Sequence, residues 1–159
     1  MHSRIFEIHT ENPYRIKAKN HITADDLPDW FFASVADYAE DLSDDEFLED
    51  LSWIKTITNG ALSFQDNKFT LLPNGKENYF RKKHSEYCQI AEKLSKCSLE
   101  SFSTSGIEFD EYELRQLYDD KFGFYAYVDS NLITFDEFMR SYVDDDKTYV
   151  IEGVIDYHS

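Results

Sequence analysis

The chain has 159 residues, 32 of them acidic and 16 basic, for a formal net charge of −16. Such a charge repels phosphate backbones and anionic lipid, which disfavours direct binding to nucleic acid or membranes and favours a basic protein as partner. A hydrophobic content of 42% with 16% aromatics exceeds what acidic disordered chains carry, so the expectation is one folded α+β domain over residues 1–159.

Residues Arg4 to Thr10 alternate Ile5, Phe6 and Ile8 with polar positions and read as a first strand. Beyond the break at Asn12-Pro13, YRIKAKNHI reads as a second strand pairing back, with Tyr14, Ile16 and Ala18 on one face. Next comes the stretch from Asp25 to Trp53, which holds eleven acids and no Lys or Arg. Its pattern predicts two helices. Asp25 or Asp26 can cap the first, with Pro28 tolerated in its opening turn. At 100° per residue, Leu27, Phe31, Val35, Tyr38 and Leu42 share one face, while Asp26, Asp29, Asp37, Glu40 and Asp41 share the other. Ser43-Asp44-Asp45-Glu46 is a capping box, flanked by Leu42 and Phe47 as a hydrophobic staple. The second helix follows from near Asp44, with Phe47, Leu48, Leu51, Ile54 and Ile57 facing the core and Asn59-Gly60 as a left-handed stop.

ALSFQDNKFTLL predicts a hairpin turning at Asp66-Asn67, and Pro73-Asn74-Gly75 breaks the chain after it. A third helix is expected from about Lys76 to Lys96, with Phe80, His84, Tyr87, Ala91 and Leu94 on its apolar face. It is the basic element, carrying Arg81, Lys82, Lys83, Lys93 and Lys96. In the last sixty residues, Ile107-Glu-Phe-Asp-Glu-Tyr112 recurs as Ile133-Thr-Phe-Asp-Glu-Phe138. Each copy reads as a helix followed by a strand, FGFYAYV and then TYVIEGVIDY, joining an antiparallel or mixed sheet packed with three main helices. Thr134 and Glu137 form a second capping box.

Catalytic and metal patterns fare poorly. LITFDEF resembles the exit of a calcium loop, but the required oxygen ligands fall on Ala126 and Val128, and the glycine on Asn131. The five glycines are far apart, so no Gly-rich turn cradles phosphate. Ser52 with Lys55, and Tyr79 with Lys83, match two-letter catalytic patterns without their companion motifs. The five histidines are scattered, with His84 expected in the core or at its boundary. Cys88 and Cys97 fit no metal or redox spacing. No apolar run reaches the roughly 18 residues of a membrane helix, and no charged-then-apolar leader opens the chain. A cytoplasmic protein without catalytic residues, cofactor or metal is expected.

The acidic stripe remains. On one helix, Asp26 to Asp41 would span roughly 22 Å at a rise of about 1.5 Å per residue. Carboxylates at that spread suit a Lys- and Arg-lined groove that otherwise holds phosphates, and docking there gains from counterion release. Asp26, Asp29, Asp37, Glu40, Asp41, Asp44 and Asp45 are the expected contact charges, with Trp30 as an anchor at the stripe's edge. A competing reading places binding on the aromatic runs, at Phe124, Tyr125 or Tyr127, and exposed strand edges leave room for a homodimer.

RIFEI, DKFGFYAYV, LITFDEF and GVIDYH, as a set, resemble small acidic proteins carried by conjugative and other mobile elements of gut Firmicutes. That resemblance implies a counter-defence role of the antirestriction or anti-CRISPR kind. It makes the expected partner a basic, nucleic-acid-binding host defence nuclease or effector.

Overall fold

The computed structural model describes residues 2–12 and 21–159. The expected second strand at Tyr14, Ile16 and Ala18 lies outside the described residues. The architecture is α+β, built on a seven-stranded mixed sheet. Its strands are β1 (His2–Thr10), β2 (Tyr38–Asp41), β3 (Leu62–Gln65), β4 (Lys68–Leu71), β5 (Tyr125–Val128), β6 (Asn131–Thr134) and β7 (Thr148–His158). The order is β3-β4-β7-β1-β5-β6, with β2 also paired to β7. Helices α1 (Asp29–Ser34), α2 (Asp44–Ile57), α3 (Gly75–Ser95), α4 (Leu99–Phe102), α5 (Glu108–Tyr118) and α6 (Phe135–Glu137) accompany it. Two 3-10 turns (Ala24–Asp26 and Ser105–Ile107) and a π-helical turn (Phe138–Tyr142) complete the set.

Strand β7 is the spine. One edge pairs antiparallel with β1, from His2↔His158 to Thr10↔Tyr149. Its other edge is shared, with β4 on the first part (Thr70↔Thr148) and β2 on the last (Tyr38↔His158). Strand β1 then pairs parallel with β5. Tyr149 fixes the entry to β7 by donating from its hydroxyl to the Tyr142 carbonyl at 2.8 Å while accepting from Asp144 N at 2.9 Å.

Period-two alternation sends side chains to two cores, one on each face of the sheet. Phe6, Ile8, Ala126, Val128, Tyr149 and Ile151 face the larger one, which Leu51 and Ile54 of α2 and Phe135, Phe138 and Met139 complete. Ile5, Tyr125, Ile155 and Tyr157 face the smaller one, covered by Leu27, Phe31, Val35 and Ala36. Phe6, Phe31 and Tyr157 are fully buried, and burying an apolar side chain of this size contributes roughly 1.5–3 kcal/mol.

The two repeat copies each deliver a helix and then a strand, as expected: α5 before β5, and α6 with its π-helical turn before β7. Copy-equivalent Asp110 and Asp136 are both buried, and both reach lysines of α3, namely Lys93 and Lys83. Thr134 caps α6 by accepting from Glu137 N at 3.1 Å. The expected reciprocal bond is replaced: the Glu137 carboxylate accepts from Ser141 and Arg140 one turn on.

The acidic segment departs most from expectation. The predicted helix through Leu42 is a 3-10 turn capped by Thr23, a short α1 starting after Pro28, and then strand β2. Leu27, Phe31 and Val35 do share a buried face, but it lies on the smaller core, whereas Leu42 packs against the larger one. The chain must pass from one face of the sheet to the other within residues 36–42. A straight helix cannot do that, and pairing along β7 can. The second helix is as predicted, with Ser43 and Glu46 forming the capping box and Leu51 and Ile54 buried. Leu48 and Ile57, expected inside, are exposed. The hairpin turns at Asp66, which has φ 56°, and Gly60 takes the left-handed φ of 80° after α2.

Candidate functional site

All eight side chains singled out in the acidic segment, Asp26, Asp29, Trp30, Asp37, Glu40, Asp41, Asp44 and Asp45, are exposed. They do not form one stripe. Asp26 and Asp29 sit on the 3-10 turn and α1, and Asp44 and Asp45 on the first turn of α2. On β2 the alternation turns Asp41 with inward-packed Ala39 toward the smaller core's side, and Tyr38 with Glu40 toward the other. The carboxylates therefore wrap around a sheet edge, and the continuous 22 Å helical comb is overturned.

Some of these acids hold local structure. Asp26 accepts from Thr23 N and its hydroxyl, both at 2.9 Å, and those bonds hold its carboxyl below the ordinary value. Glu46 does the same for Ser43. Asp41 accepts from Ala24 N at 2.8 Å, tying the 3-10 turn to β2. Asp37 lies 3.5 Å from His158 Nδ1. Among the described residues, none of the ten exposed acids from Asp25 to Glu49 lies within ion-pair distance of a Lys or Arg. The eleventh, Asp50, is buried and binds Arg4 Nε at 2.6 Å. Arg4 also donates to Asp156 and lies over the Trp53 ring. Burial pushes the Asp50 carboxyl upward, and the Arg4 bond and charge oppose that push.

Exposed aromatics punctuate the same surface. Trp30 is 48% exposed, and Phe32, Tyr38 and Trp53 are similarly open. Tyr38 stacks on His158 with planes 4° apart. The aromatic runs proposed as a rival surface are core instead. Tyr125 is buried, and Phe124 and Tyr127 pack against the two cores. The large exposed side chains of that half, Leu99, Phe102, Phe109, Tyr112 and Tyr118, belong to α4 and α5.

The two-letter catalytic matches find structural roles. Tyr79 hydroxyl and Lys83 Nζ both donate to Asp136, at 3.0 Å and 2.6–2.7 Å, with Asp120 N a further donor at 3.0 Å. Burial, with Asp136 beside it, raises the Tyr79 phenol far above its ordinary value, the opposite of what a tyrosine base needs. Lys55 Nζ lies over the Phe64 ring while Ser52 is exposed. His84, expected in the core, is exposed, with Cys88 Sγ 3.5 Å from its Nε2 one turn along α3.

One constellation escaped the sequence reading. Glu7, His9, His21 and Glu152 converge at the β1–β7 pair. Their separation in sequence hides them, and the only signals are polar Glu7 and His9 alternating with Phe6 and Ile8 on β1.

Compared with known proteins, the chain matches no family model, no curated protein and no solved structure. Among the described residues, no helix is long and apolar enough to cross a membrane.

Proposed function

We propose that this chain is a non-enzymatic binding protein of the cytoplasm, a counter-defence inhibitor or adaptor that docks through the surface from Asp25 to Glu49. Its partner is a basic, nucleic-acid-binding protein, such as a host nuclease or effector, whose phosphate-binding groove the carboxylates occupy. The observation that carries this reading is the set of ten exposed carboxylates with no Lys or Arg at ion-pair distance among the described residues. Leaving like charges unneutralised on one surface costs self-repulsion, which a basic partner converts into attraction and fast, salt-dependent association. The wrapped arrangement suits a concave groove better than a straight channel. Trp30 and Tyr38 add desolvated area beside the charges. The free, exposed Cys88 and Cys97 accord with a reducing compartment.

The test is capture from a bacterial lysate at low and high salt, followed by binding of the captured protein to D29N/E40Q/D44N/D45N chain. These four accept no side-chain hydrogen bond or ion pair within the described residues, so the fold is expected to persist. Capture lost at high salt, and affinity reduced at least about 10-fold in the variant, is expected if roughly 1.4 kcal/mol of docking rests on these charges. Unchanged affinity with a flat salt response sinks the proposal.

A further inference from the structure

Glu7 is a carboxylate inside the sheet, 5% exposed, on a strand whose neighbouring residues are fully buried. Burying a carboxylate is costly unless cations or donors face it. Here its Oε1 faces His9 Nε2 at 2.9 Å, and its Oε2 faces His21 Nδ1 at 3.4 Å and accepts from Ile22 N at 3.2 Å. Glu152 Oε2 approaches the same His9 nitrogen at 3.5 Å. Ligand atoms of Glu7, His21 and Glu152 all lie within 4.8 Å of one another.

The backbone has been shaped around this meeting. Alternation on β1 puts Glu7 and His9 on one face, two residues apart. The register of β1 against β7 slips between Glu7 and Ile8, from Glu7↔Gly153 to Ile8↔Ile151, so Glu152 is the extra residue of a bulge and arrives beside Glu7. At the bulge sits Gly153, where an added Cβ would stand 2.9 Å from Glu7 Oε2 and 3.8 Å from His21 Cβ. The glycine thus leaves room for the cluster. A cavity of about 490 Å³, lined by His9, His21, Glu152, Asn12, Asn67 and Lys68 among others, opens onto it. The lysine there is already paired with Glu11.

We propose that Glu7, His21 and Glu152, with His9 beside them on Glu7 Oε1, bind one first-row divalent transition metal of the Zn²⁺ type. With bonds of about 2.0–2.2 Å, tetrahedral ligand atoms stand roughly 3.4 Å apart. Glu7 Oε2 and His21 Nδ1, 3.4 Å apart, already stand at that spacing. Imidazole with carboxylate selects Zn²⁺, Co²⁺ or Ni²⁺ over Mg²⁺ and Ca²⁺, which take oxygen ligands. Bound metal would fasten the His21–Ile22 entry of the acidic segment to the spine of the sheet, a consequence independent of whether that segment docks on a partner.

The experiment is calorimetric titration of chelator-stripped full chain with ZnCl₂, with CoCl₂ as an absorbing probe of coordination and thermal unfolding as a second readout. Expected are one equivalent bound, a cobalt spectrum of low coordination number, a raised unfolding midpoint, and no competition from MgCl₂ or CaCl₂. His21→Ala and Glu152→Gln are each expected to weaken Zn²⁺ affinity at least about 10-fold, with the fold checked by circular dichroism. His21 is mostly exposed, so its removal tests the site even where Glu7→Gln or His9→Ala fails to fold. H84A/C88S should bind as the parent does. No Zn²⁺ or Co²⁺ uptake by the folded chain, or uptake unchanged by His21→Ala and Glu152→Gln together, overturns the proposal.

Discussion

Asp110 and Asp136, at matching places in the repeat, are buried and each faces a lysine of α3. From Asp25 to Glu49, by contrast, ten acids are exposed and none lies within ion-pair distance of a lysine or arginine among the described residues. The same side chain is thus used in two ways. Where it is buried, the low-dielectric surroundings demand a cation or several donors, and the basic helix α3 supplies them. Where it is exposed, water solvates it, and the fold has no use for a neutralising partner. The contrast separates charge that holds the protein together from charge left at its surface, and that division is open to test.

The sharpest test removes the centre of the neutralised region. Asp136→Ala strands Lys83, Tyr79 and the Asp120 amide together, and an unfolding free energy lower by about 3–5 kcal/mol is expected from urea denaturation. The repeat-equivalent Asp110→Ala should lose only about 1 kcal/mol by the same measurement, because Lys93 is 68% exposed and keeps its water. Ser43→Ala removes a cap within the acidic segment and is expected to cost about 1 kcal/mol in the same denaturation series. A fourth prediction uses pH. Glu46 has its carboxyl lowered by its bonds to Ser43, so it contributes stability that is present above the ordinary carboxylate value and lost as pH falls through the lowered one. Asp120, raised by burial, contributes the opposite sign: stability present below the ordinary value and lost as pH rises through its raised one. Urea midpoints measured from roughly pH 3 to 7 should therefore fall less steeply toward acid in Glu46→Gln, and more steeply in Asp120→Asn. The smallest effect belongs to D29N/E40Q/D44N/D45N, whose stability should stay within about 1 kcal/mol of the parent by chemical denaturation, because the lost interaction of Asp29, Asp44 and Asp45 with helix N-termini is offset by relief of like-charge repulsion. A loss of several kcal/mol there would erase the distinction between the two regions.

Local chemistry made much of this legible. The capping box at Ser43 and Glu46, the turn at Asp66, α3 and the helix-then-strand repeat each depend on residues within a few positions of one another. The end of α1 does not. Val35, Tyr38 and Leu42 satisfy a helical period, yet β7 offers an unpaired edge and the two cores lie on opposite faces, so tertiary pairing overrides the local pattern. Leu48 and Ile57 fit the apolar face of α2 but extend beyond what the sheet covers. The Glu7–His21–Glu152 meeting spans most of the chain and depends on a bulge, a register detail no short window carries. Of the expected surface, identities and exposure were readable, while its geometry was not, because geometry followed from β2.

Strand β7 also has a consequence in time. It is the common partner of β1, β2 and β4, and its register joins His2 to His158. A ribosome delivers β1 long before the residues that pair with it, so during synthesis three strands wait with open edges. Closure of so distant a loop is slow relative to forming α2 or α3. Open edges of this kind are templates for joining to a neighbouring copy. Charged edge strands oppose such joining, and Glu40 and Asp41 place two carboxylates on β2.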